Sequence, residues 1–285
     1  MVSISLKSLN KKTIINLEQL LVKYNFINII FVKRDFKIYH NLIIHFKGPD
    51  KNLFYKNISD LISDYIISNY EKSILKSQLK LDFFYLSAFE QEEILNSVNK
   101  TLQKKNNQKQ KRALLNEIAY SYIVNNKKIY IDGFINFQIS NYKKYLNNLL
   151  ENEIHTYIIK KEYDEYIDLL RSYIHEKTKN NENQTELIHL FYTDNNKTIL
   201  DRNLNLITTS NEKKYLCDIS FSENDFILNS ILSIMPKKIM IHTKNKNDNF
   251  VIFLQSIFEN NCIICTKCEY CNNINSNKKI INTIE

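Results

Sequence analysis

FINIIFVKRDFKIYHNLIIHFKGP, residues 26–49, reads as two strands followed by a stop. Phe26–Val32 is β-branched and aromatic, and Lys33-Arg34-Asp35 can turn. Phe36, Ile38, Leu42, Ile44 and Phe46 then share one face of a period-2 strand that Gly48-Pro49 ends. The spacing predicts a β-hairpin. His40 falls on its apolar face and reads as a core histidine with satisfied ring nitrogens, whereas His45 falls on the other face. Upstream, Ile14, Leu17, Leu20, Leu21 and Tyr24 recur at helical spacing. Residues 1–56 are therefore expected to form an N-terminal α/β hairpin segment.

From 57 to 176 the period changes to that of helices. Ile58, Leu61, Ile62, Tyr65, Ile66 and Ile74 mark a first helix. Ser87 and Glu90 offer a capping box for a second through Ile94, Leu95, Val98 and Leu102, and a third is expected over roughly 110–125. In Tyr130–Phe137, Gly133 suggests a positive φ or a close backbone approach. Residues 141–176 keep helical spacing without Gly or Pro. At 1.5 Å per residue they would run about 54 Å. A compact chain of this length has a radius of gyration near about 19 Å. Either the helix breaks near Lys160-Lys161-Glu162 or it projects.

Residues 177–185 read as a polar linker, and 186–271 as a C-terminal α/β segment with a polar tail, 272–285, beyond it. Leu187–Thr193 and Thr198–Asp201 bracket a turn. Tyr215, Cys217, Ile219 and Phe221 alternate as a strand. Ser222 and Asp225 cap a helix that Pro236 stops. A strand at Lys238–His242, a helix at 248–259 and a strand at Cys262–Ile264 form a strand-helix-strand unit, which favours a parallel pair. The fold class is α+β, with the helical region in the centre.

Composition excludes several chemistries. The 285 residues include 2 Gly, 2 Pro and no Trp. Phosphate cradles need clustered glycines, because backbone amides must approach the anion closely. The chain therefore has no Walker loop, dinucleotide fingerprint or nucleophile elbow. No segment reaches the roughly 20 apolar residues of a membrane span. The start, MVSISLKSLNKK, lacks a signal-peptide pattern. A cytoplasmic protein with reduced cysteines is expected.

The net charge is +8, yet the chain holds 43 Ile, 40 Asn, 35 Lys and only 4 Arg. The three abundant types have AT-rich codons, so the basic excess reflects genome composition. Arg, the residue of bidentate phosphate and guanine contacts, is scarce. Lys100, Lys104, Lys105, Lys109, Lys111 and Arg112 form a basic stretch without acids. It reads as a solvated charged rim, with nucleic-acid binding as the alternative.

The candidate metal ligands are Cys262, Cys265, Cys268 and Cys271, four of five cysteines at intervals of three. A Cys-x-x-Cys turn brings two thiolates to one metal. The run starts on the last strand and enters the loop beyond its carboxyl end, where α/β sheets place ligands. Structural zinc usually takes two separated pairs, and ferredoxin runs place their fourth cysteine at a longer interval. Zinc, an iron–sulfur cluster, redox dithiols and no site all remain open. Cys217 reads as simply buried.

Other constellations carry less. Glu151, Glu153, Glu162, Asp164, Glu165, Asp168, His155 and His175 lack the paired Glu-x-x-His pattern of di-metal bundles. Lys161 with Glu165 and Asp168 with Arg171 read as surface pairs. Tyr163, Tyr166 and Tyr173, at helical spacing, read as core and rim. No catalytic residue stands out.

Leu86–Glu90, IDGFINFQISNYKKYL (131–146), KKEYDEYIDLLRSYI (160–174) and MPKKIMIH (235–242) with its Cys-rich ending resemble the YtxC-like family of sporulation proteins from endospore-forming bacteria. The resemblance spans roughly residues 55 to 271. It implies a sporulation-associated cytosolic protein and carries over no catalytic residue. With no catalytic motif in the sequence, a non-enzymatic role through protein partners is expected. Metal or iron–sulfur binding at the cysteines and nucleic-acid binding through 100–112 are the alternatives.

Overall fold

In the computed structural model, which describes residues 2–180, 185–193, 197–209, 222–265, 268 and 271, the hairpin forms half of a four-stranded sheet. Its strands are β1 (Val2–Ser8), β2 (Ile29–Asp35), β3 (His40–Phe46) and β4 (Lys128–Tyr130), in the order β2-β3-β1-β4. β3 is antiparallel to both neighbours, and β4 runs parallel to β1. The pleat turns Ile4, Leu6, Leu42, Ile44 and Phe46 into the core. Helix α1 (Lys11–Tyr24) meets them with Ile14, Leu17 and Leu21.

The turn comes later than the sequence suggests. Lys33, Arg34 and Asp35 continue β2, and the Phe36 N–H donates to the Tyr39 carbonyl at 2.9 Å. The register that pairs Val32 with Ile43 runs on to pair Asp35 with His40. A 2.8 Å bond between Asp35 Oδ1 and His40 Nδ1 closes it. Phe36 and Ile38 therefore sit on an exposed turn, not on the core face. His40 is satisfied at the hairpin end, not in the core.

The expected first helix divides at Tyr70 into α2 (Lys51–Asn69) and α3 (Glu71–Asp82). Glu71, at the start of α3, is buried and holds the Lys111 ammonium at 2.8 and 2.9 Å. It also accepts from the Tyr142 hydroxyl. Ser87 and Glu90 form the expected capping box of α4 (Ala88–Leu102). Helix α5 (Lys105–Asn125) starts earlier than expected. A short α6 (Ile131–Gly133) and a π-turn (Phe134–Gln138) lead into α7 (Ser140–Asn180).

Helix α7 does not break at Lys160-Lys161-Glu162. The run has no Gly or Pro to interrupt it, and Lys161–Glu165 and Asp168–Arg171 pairs at 4.0 and 3.2 Å support it. The division into two compact units, Met1–Ile159 and Lys160–Glu285, falls there instead. The first unit has one core, shared by its sheet and its helices. The polar linker is shorter than expected, since α7 runs to Asn180; residues 181–184 lie outside the described residues.

The second unit has a five-stranded sheet in the order β7-β6-β5-β8-β9. Its strands are β5 (Leu187–Tyr192), β6 (Lys197–Leu200), β7 (Leu206–Thr209), β8 (Lys238–Thr243) and β9 (Cys262–Cys265). β5, β8 and β9 are mutually parallel, and β6 and β7 extend the sheet antiparallel. Helix α8 (Glu223–Ile234) starts at the Ser222–Asp225 capping box. It ends on Met235 in the left-handed region, φ 47°, immediately before Pro236. Helix α9 (Asn249–Phe258) starts at Asp248, whose carboxylate accepts from the Phe250 and Val251 N–H groups. It supplies Val251, Leu254 and Ile257 to a core with Ile188, Leu190, Ile239 and Ile241. The proposed strand of Tyr215, Cys217, Ile219 and Phe221 lies outside the described residues.

The glycines divide against expectation. Gly133 is helical at φ −68°, and a Cβ there would meet nothing nearer than 3.9 Å. The close approach is at Gly48, where a Cβ would stand 2.2 Å from the ring of Phe46, itself stacked on Phe54. Gly48→Ala should therefore lower stability by about 1–3 kcal/mol through overpacking. Gly133→Ala should raise it by about 0.4–1 kcal/mol through the unfolded chain. Denaturant midpoints of the two variants check this; equal shifts would contradict it.

Candidate metal centre

The site is built by register. Across the parallel strands, Phe191 of β5 pairs with His242 of β8, and His242 pairs with Cys265 of β9. Side chains alternate along a strand, so these three share one face of the sheet. Ile188, Leu190, Ile239, Ile241 and Cys262 occupy the other face, in the core.

Cys268 and Cys271 complete the group beyond β9. One ligand atom each from His242, Cys265, Cys268 and Cys271 lies within 4.8 Å of all the others. His242 Nδ1 stands 3.3 Å from Cys268 Sγ and 3.4 Å from Cys271 Sγ. Cys271 and Cys265 sulfurs are 4.0 Å apart. A tetrahedron with zinc–sulfur bonds of about 2.3 Å has edges of about 3.8 Å. The donor set and its spacing therefore fit one metal ion. The Cys271 N–H donates to Cys268 Sγ at 3.4 Å, as amides in a Cys-x-x-Cys turn do for thiolates.

The electrostatics suit a ligand set. His242 is 2% exposed, and burial holds its imidazole at about 4, well below the usual histidine value. The ring stays neutral, as a metal ligand must. The unfolded chain takes up a proton that the folded one refuses, so this group costs stability as pH falls from about 6.5 toward 4. Burial, then the neighbouring Cys268 and Cys265, pushes the Cys271 thiol up to about 12. Thiolates this close repel one another, and a cation between them would relieve that.

Around the ligands stands a supporting shell. His242 Nε2 lies 2.9 Å from His189 Nδ1, and its ring stacks on Phe191 with centroids 4.4 Å apart. A ligating histidine commonly uses its second nitrogen in this way. Burial also lowers the His189 pKa, against the pull of Asp201.

Cys262 is not part of the group. It lies three residues before Cys265 on the same strand, and an odd interval puts the two on opposite faces. It is buried in the core, where burial alone raises its thiol to about 12. No disulfide joins the four cysteines of the run to one another. Cys217 lies outside the described residues. His242 stands in the group in place of Cys262. The cysteine spacing does not include it; it comes from the penultimate position of β8, the strand that pairs in parallel with the cysteine strand.

Several of the other candidates make contacts within the fold. Lys111 is bound to Glu71, and Arg112 lies 3.0 Å from Asp64 and 3.1 Å from the Tyr24 hydroxyl. Lys100, Lys104, Lys105 and Lys109 are exposed. Glu153 accepts from Thr101 at 2.8 Å and from the Ser97 hydroxyl. Glu151 accepts from Asn147 at 2.7 Å. Tyr163, Tyr166 and Tyr173 are rim residues, 44–47% exposed. Among the described residues, no helix is long and apolar enough to cross a membrane.

These features define an α+β protein with a Cys3His group at the carboxyl ends of two parallel strands. The chain belongs to the YtxC-like family, whose model matches residues 56–263. That match contains His242 and Cys262 and ends before Cys265. No curated protein and no solved structure matches the chain.

His189→Leu, which keeps bulk but cannot accept from His242, should weaken metal affinity about 10–100-fold. His189→Gln should recover part of it. Competition against a chromophoric chelator measures this, and affinity unchanged in His189→Leu would contradict the role.

Proposed function

We propose that the chain is a sporulation-associated cytosolic protein without enzymatic activity, which works through protein contacts and whose C-terminal unit is closed by one zinc ion. The observation that carries the metal reading is the convergence of His242, Cys265, Cys268 and Cys271 within 4.8 Å. Four protein ligands leave no open position for substrate, which is the arrangement of structural rather than catalytic zinc. Ligand atoms this close leave room for a single ion and none for the iron and sulfide of a cluster. The ion would tie β8, β9 and the chain beyond β9 together. Membership of the YtxC-like family supports the sporulation reading. The pairing of Lys111 and Arg112 with carboxylates removes two of the six bases on which nucleic-acid binding would depend.

Purified without chelators, the protein should carry about one zinc per chain and lose thermal stability when the metal is stripped. Cys265→Ser and Cys268→Ser should abolish the metal, whereas Cys262→Ser should keep it. Elemental analysis reads all three. Iron with sulfide, or no metal at all, would overturn the zinc reading. Deleting the gene in a spore former should lower the yield of heat-resistant spores; a normal yield would overturn the sporulation reading.

A further inference from the structure

We propose that the turn between α3 and α4 is a docking surface for a basic amphipathic helix of a protein partner, which deepens the protein-contact reading above. The observation is an exposed apolar cluster with an acidic flank. Leu81, Phe84, Tyr85 and Phe89 are 74%, 79%, 61% and 71% exposed, within nine consecutive residues. Large aromatics left in water at this density mark interaction sites, because their burial on a partner is strongly favourable.

The backbone of the cluster is anchored. Leu86, between the exposed side chains, is buried, and Phe83 packs on the core. The Leu86 N–H donates to the Phe83 carbonyl at 3.2 Å, and the Ser87–Glu90 capping box fixes the start of α4. The backbone that carries the rings is thus set before a partner arrives, which reduces the ordering cost of binding.

The charge selects the partner. From 80 to 100 the acidic residues Asp82, Glu90, Glu92 and Glu93 outnumber the two exposed lysines at the ends, Lys80 and Lys100, in a chain whose net charge is +8; Glu90 is engaged in the capping box, so Glu92 and Glu93 carry the acidic face. Phe89, Glu92 and Glu93 stand at i, i+3 and i+4 of α4, so the ring and both carboxylates share one face. A partner helix with an apolar stripe beside Lys or Arg covers the rings and meets the carboxylates. An anionic lipid surface or an acidic partner meets repulsion.

The test uses the full-length protein and two labelled synthetic helical peptides with one Leu pattern, one with Lys and one with Glu on the polar face. Fluorescence anisotropy should show binding of the Lys peptide that weakens with salt, and none of the Glu peptide. Phe84→Ser/Phe89→Ser and Glu92→Lys/Glu93→Lys change exposed positions and should leave circular dichroism unchanged. Each should weaken Lys-peptide binding at least about tenfold. No binding, equal binding of both peptides, or variants that bind like the parent would overturn the proposal. So would self-association, or binding to anionic vesicles, that Phe84→Ser/Phe89→Ser abolishes. A normal spore yield on deletion would remove the sporulation reading and leave this surface standing.

Discussion

The parallel register of β8 against β9 is the constraint on which the candidate site depends. Pairing Ile239 with Cys262 at one end sets His242 beside Cys265 at the other. A slip of one residue would turn Cys265 to the core face and bring Cys262 out, and no ligand group would form. The register is enforced from the core side. Ile239, Ile241 and Cys262 are buried there, and helix α9 supplies the apolar cover between the strands. The hydrophobic packing of one face therefore positions the polar chemistry of the other.

That chemistry is arranged in two shells. His242 stays neutral because it is buried, stacks on Phe191 and contacts His189 through the nitrogen that faces away from the sulfurs. The three sulfurs approach closely enough that their ionised forms would repel. Packing alone would leave such a group costly; a divalent ion between the sulfurs would change its sign.

Much of this was legible in the sequence, and the misses share a cause. The hairpin, both capping boxes, the Pro236 stop and the strand-helix-strand unit follow from local patterns, because alternation, caps and breakers act within a few residues. The turn after β2 was misplaced because the ladder length is fixed by pairing with β3, not by turn propensity. Glycine at 133 suggested a strained backbone, whereas the tight contact is at Gly48, set by the position of the Phe46 ring. The continuity of α7 through residue 160 reflects the absence of any breaker. Cysteines 265, 268 and 271 announced themselves by spacing. Cys262 followed the same spacing, but strand alternation sends it to the core. His242 lies outside the cysteine spacing, 23 residues before Cys265, and joins the group only through the pairing of two strands. The split between the bases that pair internally and those that face water likewise depends on which helices meet.

The first unit follows a different logic. Its core is closed by helices around one sheet face, with the buried Glu71–Lys111–Tyr142 network joining α3, α5 and α7. What it offers outward is the aromatic turn before α4. The proposed ion would secure the second unit, and the proposed contact surface belongs to the first.

X-ray absorption at the zinc edge of the purified protein tests the central claim most directly. The account predicts one light scatterer at about 2.0–2.1 Å and three sulfurs at about 2.3 Å. A shell of four sulfurs, with a cysteine in place of His242, or a shell of oxygen and nitrogen alone, would contradict it.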